Sequence, residues 1–123
     1  MGDNRSGQWG EERAKSYLRW RGWQIVDCNY ATRFGEIDII AARRDVLAFV
    51  EVKTRKDAAH GEAREFVTAA KRRRLISAAA QYLSEHDTER QPRFDVIEIY
   101  APDGPETRRP VIRHIENAFD ASE

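Results

Sequence analysis

The chain has 123 residues, 41% hydrophobic and 34% charged, which suits one domain with one buried core large enough to need no disulfide staple. Its 21 basic and 21 acidic residues cancel, so net charge gives no argument for nucleic acid and only the local distribution of charge can. The lone Cys28 cannot form an internal disulfide, no apolar run nears the ~20 residues of a membrane span, and the polar start Met1-Gly-Asp-Asn-Arg-Ser is not expected to act as a signal peptide. A cytoplasmic protein in a reducing compartment is expected.

In chain order, residues 1–6 read as a frayed terminus, followed by a helix over residues 7–21 ended by Gly22 as a left-handed cap. Its buried stripe is Ala14, Tyr17, Leu18 and the stem of Arg21, with Glu11 at the stripe's edge and Trp9 and Trp20 close together on the outer face. Residues 23–30 form a first strand, residues 29–35 a turn, and residues 36–42 and 46–54 a hairpin. A loop containing Gly61 leads to Thr68, the N-cap of a second helix reaching Glu85, with Leu75, Ile76, Ala79, Tyr82 and Leu83 on its apolar side. Residues 94–100 and 111–115 supply two more strands, and residues 120–123 a second frayed end. The order αβββαββ predicts an α/β domain spanning 1–123, one sheet with helices packed against it.

Several charged residues sit where burial makes them expensive. Side chains alternate across a strand, so Glu36, Asp38 and Ile40 should share one face, opposite Ile37 and Ile39. Phe49, Glu51 and Lys53 should share a face opposite Val50 and Val52. A hairpin then brings Asp38 and Glu51 together, two acids whose repulsion and desolvation a divalent cation relieves. Mg²⁺ suits such a place, because it takes one or two carboxylates plus waters and phosphate oxygens. Lys53 points the same way, and Glu11 approaches from the helix. In the second helix, Lys71-Arg-Arg-Arg74 opposes the dipole and asks for an anionic partner such as phosphate. Lys71, one turn before Leu75, should lean toward the sheet. His60, His86 and His114 lack metal-ligand spacing.

The strings Gly35-Glu-Ile-Asp-Ile-Ile, Phe49-Val-Glu-Val-Lys-Thr-Arg55, Arg93-Phe-Asp-Val96 and His114-Ile-Glu-Asn-Ala-Phe119 resemble the bacterial YraN-like family of uncharacterised endonuclease-related proteins. That family in turn is similar to the PD-(D/E)XK nucleases and the archaeal Holliday-junction resolvases. The resemblance implies a restriction-endonuclease-like fold, a mixed central sheet flanked by helices. It makes Asp38 the acid of the motif and Glu51-Val52-Lys53 its E-x-K. Asp38, Glu51 and the Val52 carbonyl would hold Mg²⁺ or Mn²⁺, Lys53 would orient the hydrolytic water, and Glu11 would hold a second metal or that water. Glu36, Arg55 and Lys71 would stand near the scissile phosphate, with Arg72, Arg73 and Arg74 on nucleic acid. The implied activity is hydrolysis of phosphodiesters in DNA, branched or junction DNA included, by a symmetric dimer. The alternative is a catalytically inactive DNA-binding or adaptor protein on the same fold, and a third reading is a protein contact through Trp9 and Trp20.

Overall fold

A computed structural model describes residues 5–56 and 67–121. Helix α1 (Arg5–Trp20) is followed by β1 (Gln24–Ala31), β2 (Glu36–Arg43) and β3 (Val46–Arg55), then by α2 (Ala69–Glu85), β4 (Gln91–Tyr100) and β5 (Val111–Phe119). The expected order αβββαββ is therefore present, with a short 3₁₀ turn at Gly104–Glu106 between the last two strands. Helix α1 begins inside the stretch expected to be frayed, and the loop around Gly61 lies outside the described residues. Among the described residues, no helix is long and apolar enough to cross a membrane.

The five strands form one sheet in chain order, antiparallel everywhere except where β3 and β4 run parallel through ten registered pairs. A parallel pair needs a long crossover, and α2 is that crossover. The two helices cover separate apolar faces. On the α1 side lie Ala14, Leu18, Ile39, Val50, Ile97 and Ile99, and on the α2 side Ile40, Phe49, Val67, Leu75, Tyr82 and Phe94.

Local chemistry sets the ends of the helices. Gly22, at φ +90°, closes α1 in a Schellman arrangement, with Trp23 N–H on Leu18 O (2.9 Å) and Gly22 N–H on Arg19 O (3.0 Å). Thr68 caps α2, its hydroxyl accepting the Lys71 N–H at 3.2 Å. Gly10 lets α1 lie tight on β3, because a Cβ there would overlap Thr54 Oγ1. That close approach holds Glu11 beside the end of the sheet.

Four expectations need correction. Arg21 is exposed rather than part of the buried stripe. The two tryptophans do not share a surface: Trp20 is 81% exposed, whereas Trp9 packs against the α1-side core. The turn after β1 is shorter than expected, because Asn29 adopts φ +50° inside the strand and pairing resumes at Tyr30 and Ala31. The alternation in β2 also breaks at Asp38. Ile37 packs on the α2 side with Ile40, while Ile39 packs on the α1 side. The left-handed residue opposite, Asn29, twists the pair there, so strict period-two reasoning fails at that point.

Candidate functional site

The site forms where β2 leaves β3. The two strands are registered from Arg43 opposite Val46 up to Ile39 opposite Val50. At the next position a side chain replaces the ladder: Asp38 Oδ2 accepts the Val52 N–H at 2.8 Å. The opening is a pocket of ≈ 250 Å³ lined by Gly35, Glu36, Asp38, Glu51, Lys71, Arg74 and Leu75. The expected convergence of Asp38 and Glu51 is therefore present. A roomier hollow of ≈ 570 Å³ lies elsewhere, lined by Arg44, Asp45, Asp87, Thr88, Glu89 and Arg90, and its mixed surface charges do not converge on any buried group.

Glu51 is only 5% exposed. Its carboxylate meets two ammonium groups, Lys71 Nζ at 2.5 Å and Lys53 Nζ at 4.0 Å. Lys71 thus leans to the sheet, as its place before Leu75 requires, and the anion answering this basic helix start is Glu51. Burial, then the adjacent charge of Glu51, pushes the Asp38 carboxyl up to about 7, with Glu11 adding to the effect and the Val52 N–H opposing it. The two lysines separate in the same field. Burial and contact with Lys71 hold Lys53 below the ordinary ammonium range. Burial also works against Lys71, but its bonds to Glu51 and Lys53 hold it above that range.

Glu11 stands one step back. Asn29 Nδ2 donates to Glu11 Oε1 at 2.6 Å and to Glu36 Oε1 at 3.0 Å, tying the helix acid to the start of β2. Among the described residues, no three His, Cys, Asp or Glu side chains group closely enough to cage a metal by themselves. The donor set nevertheless fits Mg²⁺ or Mn²⁺: two carboxylates in one pocket, Asp38 resisting ionisation because of its burial and then of the charge on Glu51, beside space for waters and phosphate oxygens.

The basic residues divide. Arg74 lines the pocket, Arg73 and Arg74 are exposed, and Arg72 is half-buried, its Nε without a partner among the described residues. Arg55 faces inward instead: its Nη1 donates to the fully buried Glu98 at 2.6 Å, and its guanidinium lies 5.4 Å from the Tyr100 ring centroid.

Three polar features were not singled out from the sequence. Asn29 bridges two acids, Glu98 anchors Arg55, and Asp95, 1% exposed, organises the far end of β4. Asp95 accepts two bonds from Arg93 (2.8 and 2.9 Å), contacts His114 Nε2 at 2.7 Å and accepts the Asn117 N–H at 3.0 Å. Tyr17 extends this chain to His114 Nδ1 at 3.2 Å, so His114 is a satisfied structural histidine. Two acids set within an otherwise apolar run, Asp95 and Glu98 of Phe94-Asp-Val-Ile-Glu98, are the signal the sequence offers.

The uncharacterised protein family UPF0102 matches over residues 10–99, the span that holds Glu11, Asp38, Glu51, Lys53 and Lys71. The chain belongs to that family. A UPF0102 protein of Syntrophotalea carbinolica is 46% identical over 115 residues, covering 93% of this chain and 90% of its own. One of Symbiobacterium thermophilum is 46% identical over 119 residues (95% and 98% covered), and one of Myxococcus xanthus 42% identical over 116 residues (94% and 89%). The UPF0102 relatives thus match nearly end to end, and their names carry no activity.

Proposed function

We propose that this protein is a nuclease of the PD-(D/E)XK kind, hydrolysing phosphodiester bonds in DNA with Mg²⁺ or Mn²⁺. The observation that carries the reading is the pairing of Asp38 with the buried Glu51 in one pocket, with Lys53 and Lys71 against them. The resemblance of the motif strings supports it, and so does the mixed sheet with a helix on each face. When bound, the ion would polarise the phosphate and acidify a water. Asp38 and Glu51 would hold that ion, and the Val52 N–H fixes the Asp38 carboxylate in place. Lys53, held below the ordinary ammonium range by burial and by Lys71, orients the attacking water. Lys71 and Arg74 balance charge on the phosphate oxygens. The symmetric dimer that the resemblance implies would let so small a chain address two strands.

The test is cleavage of single-stranded, flapped and four-way-junction DNA with either metal, comparing wild type with Asp38→Ala and Lys53→Ala. We expect loss of cutting in both variants by about 10² or more, and a metal-induced rise in Tm that disappears in Glu51→Ala. Cutting that survives both substitutions would reject this site. The contact of Lys71 with Glu51 favours one second reading, a DNA-binding protein whose acids are neutralised internally. That reading predicts DNA binding with no metal-dependent change in Tm.

A further inference from the structure

Beside the acid pocket lies a second groove, of ≈ 300 Å³, lined by Phe34, Ala70, Arg73, Arg74 and Ser77. Arg74 lines both spaces, so the two adjoin. The aromatic residue comes from the turn between β1 and β2, and that turn is pinned. The Thr32 hydroxyl accepts the N–H groups of Phe34 (3.0 Å) and Gly35 (3.2 Å) and donates to Gly35 O at 3.0 Å, while Thr32 N–H reaches the same carbonyl at 2.9 Å. The turn also rests on α2, since a Cβ at Gly35 would stand 3.4 Å from Arg74 Cβ. Phe34 is nonetheless 40% exposed, with the Arg33 guanidinium 4.9 Å from its ring centroid.

A single exposed phenylalanine is ordinary on a protein surface. Its setting is not. The ring is held by a fixed turn, so using it for contact costs little ordering entropy. Cations border it on both the turn and the helix, and a hydroxyl, Ser77, lies across the groove. A flat apolar ring among guanidinium groups, next to the acid pocket, suits a nucleobase stacked on the ring with its backbone among the arginines.

We propose that this groove seats an unpaired base adjoining the phosphate held at Asp38 and Glu51. The inference rests on the nuclease reading for the phosphate and adds the substrate class, DNA with a single-stranded or splayed nucleotide at the cut. A base inside an intact duplex has both faces stacked on its neighbours and cannot present one to Phe34 without being extruded.

Binding measured by fluorescence anisotropy in EDTA tests this without any hydrolysis. Wild type should bind a flapped or single-stranded oligonucleotide more tightly than blunt duplex. Phe34→Ala should lose about five-fold or more of the affinity for the unpaired substrates and none for duplex, with its Tm unchanged. Phe34→Trp should restore the preference. The salt dependence should be the same in Phe34→Ala as in wild type, whereas Arg73→Ala with Arg74→Ala should flatten it by roughly one to one and a half log units per log unit of salt. If DNA binds but Phe34→Ala is indifferent to unpaired bases, the groove assignment falls and the nuclease reading stands. If neither protein binds any DNA at low salt, both fall.

Discussion

Glu51 and Lys71 together decide how the site responds to ions. A carboxylate 5% exposed with an ammonium at 2.5 Å already has a counter-ion, one tethered to helix α2. A divalent cation bound as proposed would compete with it for the same oxygen. Lys71→Met should therefore bind Mn²⁺ more tightly than wild type in the absence of DNA, by roughly three- to ten-fold, the scale of a partly buried ion pair. Isothermal titration of the two proteins decides it, and equal affinities would mean that ammonium and cation do not share Glu51. The same substitution should weaken DNA binding, because the phosphate loses a partner. Lys53 lies farther from Glu51, at 4.0 Å, and is the lysine more easily deprotonated. Two neighbouring lysines thus take different parts because one is bonded to the acid and the other chiefly desolvated.

Elements explain which parts of this arrangement could be read from sequence. Helix α2 was legible to its cap, because Thr68, the alanine-rich body and the apolar spacing all agree. The hairpin of β2 and β3 was legible too, and with it the meeting of Asp38 and Glu51. The left-handed Asn29 was not, since asparagine is tolerated there without being required. Its effects on Ile37 and on Glu11 and Glu36 followed it out of reach. Strand β4 shows the same limit: Asp95 and Glu98 look like strand polar residues until β5 and Arg55 are seen to cover them. Asp95 also fastens a register shift between β4 and β5 by accepting the N–H of Asn117, a residue at φ +52°. Asp95→Ala leaves Arg93 without its buried partner and frees that bulge, so it should cost about 3–5 kcal/mol in urea unfolding. A loss below 1 kcal/mol would show that the bulge holds itself.

For the whole molecule, two carboxyls give the pH dependence of stability opposite signs. Asp95 is pushed up by burial but pulled further down by His114, Arg93 and the Asn117 N–H, so its contribution is present above the ordinary carboxylate range and is lost as pH falls through its lowered value. Asp38 is raised to about 7, so its folded form keeps a proton that the unfolded chain releases near pH 4. Its contribution is full below that range and lost as pH climbs to about 7. Thermal melts of Asp38→Asn should therefore decline less between pH 4 and 7 than those of wild type. Added Mn²⁺ should raise the wild-type Tm more at pH 8 than at pH 5, because the ion favours the ionised carboxylate. A metal effect independent of pH would place the cation elsewhere.

The bond from Val52 to Asp38 has a use of its own. Every change at the acid pair, whether a proton leaves or a cation arrives, alters the charge on the oxygen that this amide faces. Its NMR resonance is thus a built-in indicator, set in the backbone of the central strand, of the charge carried by the acid pair.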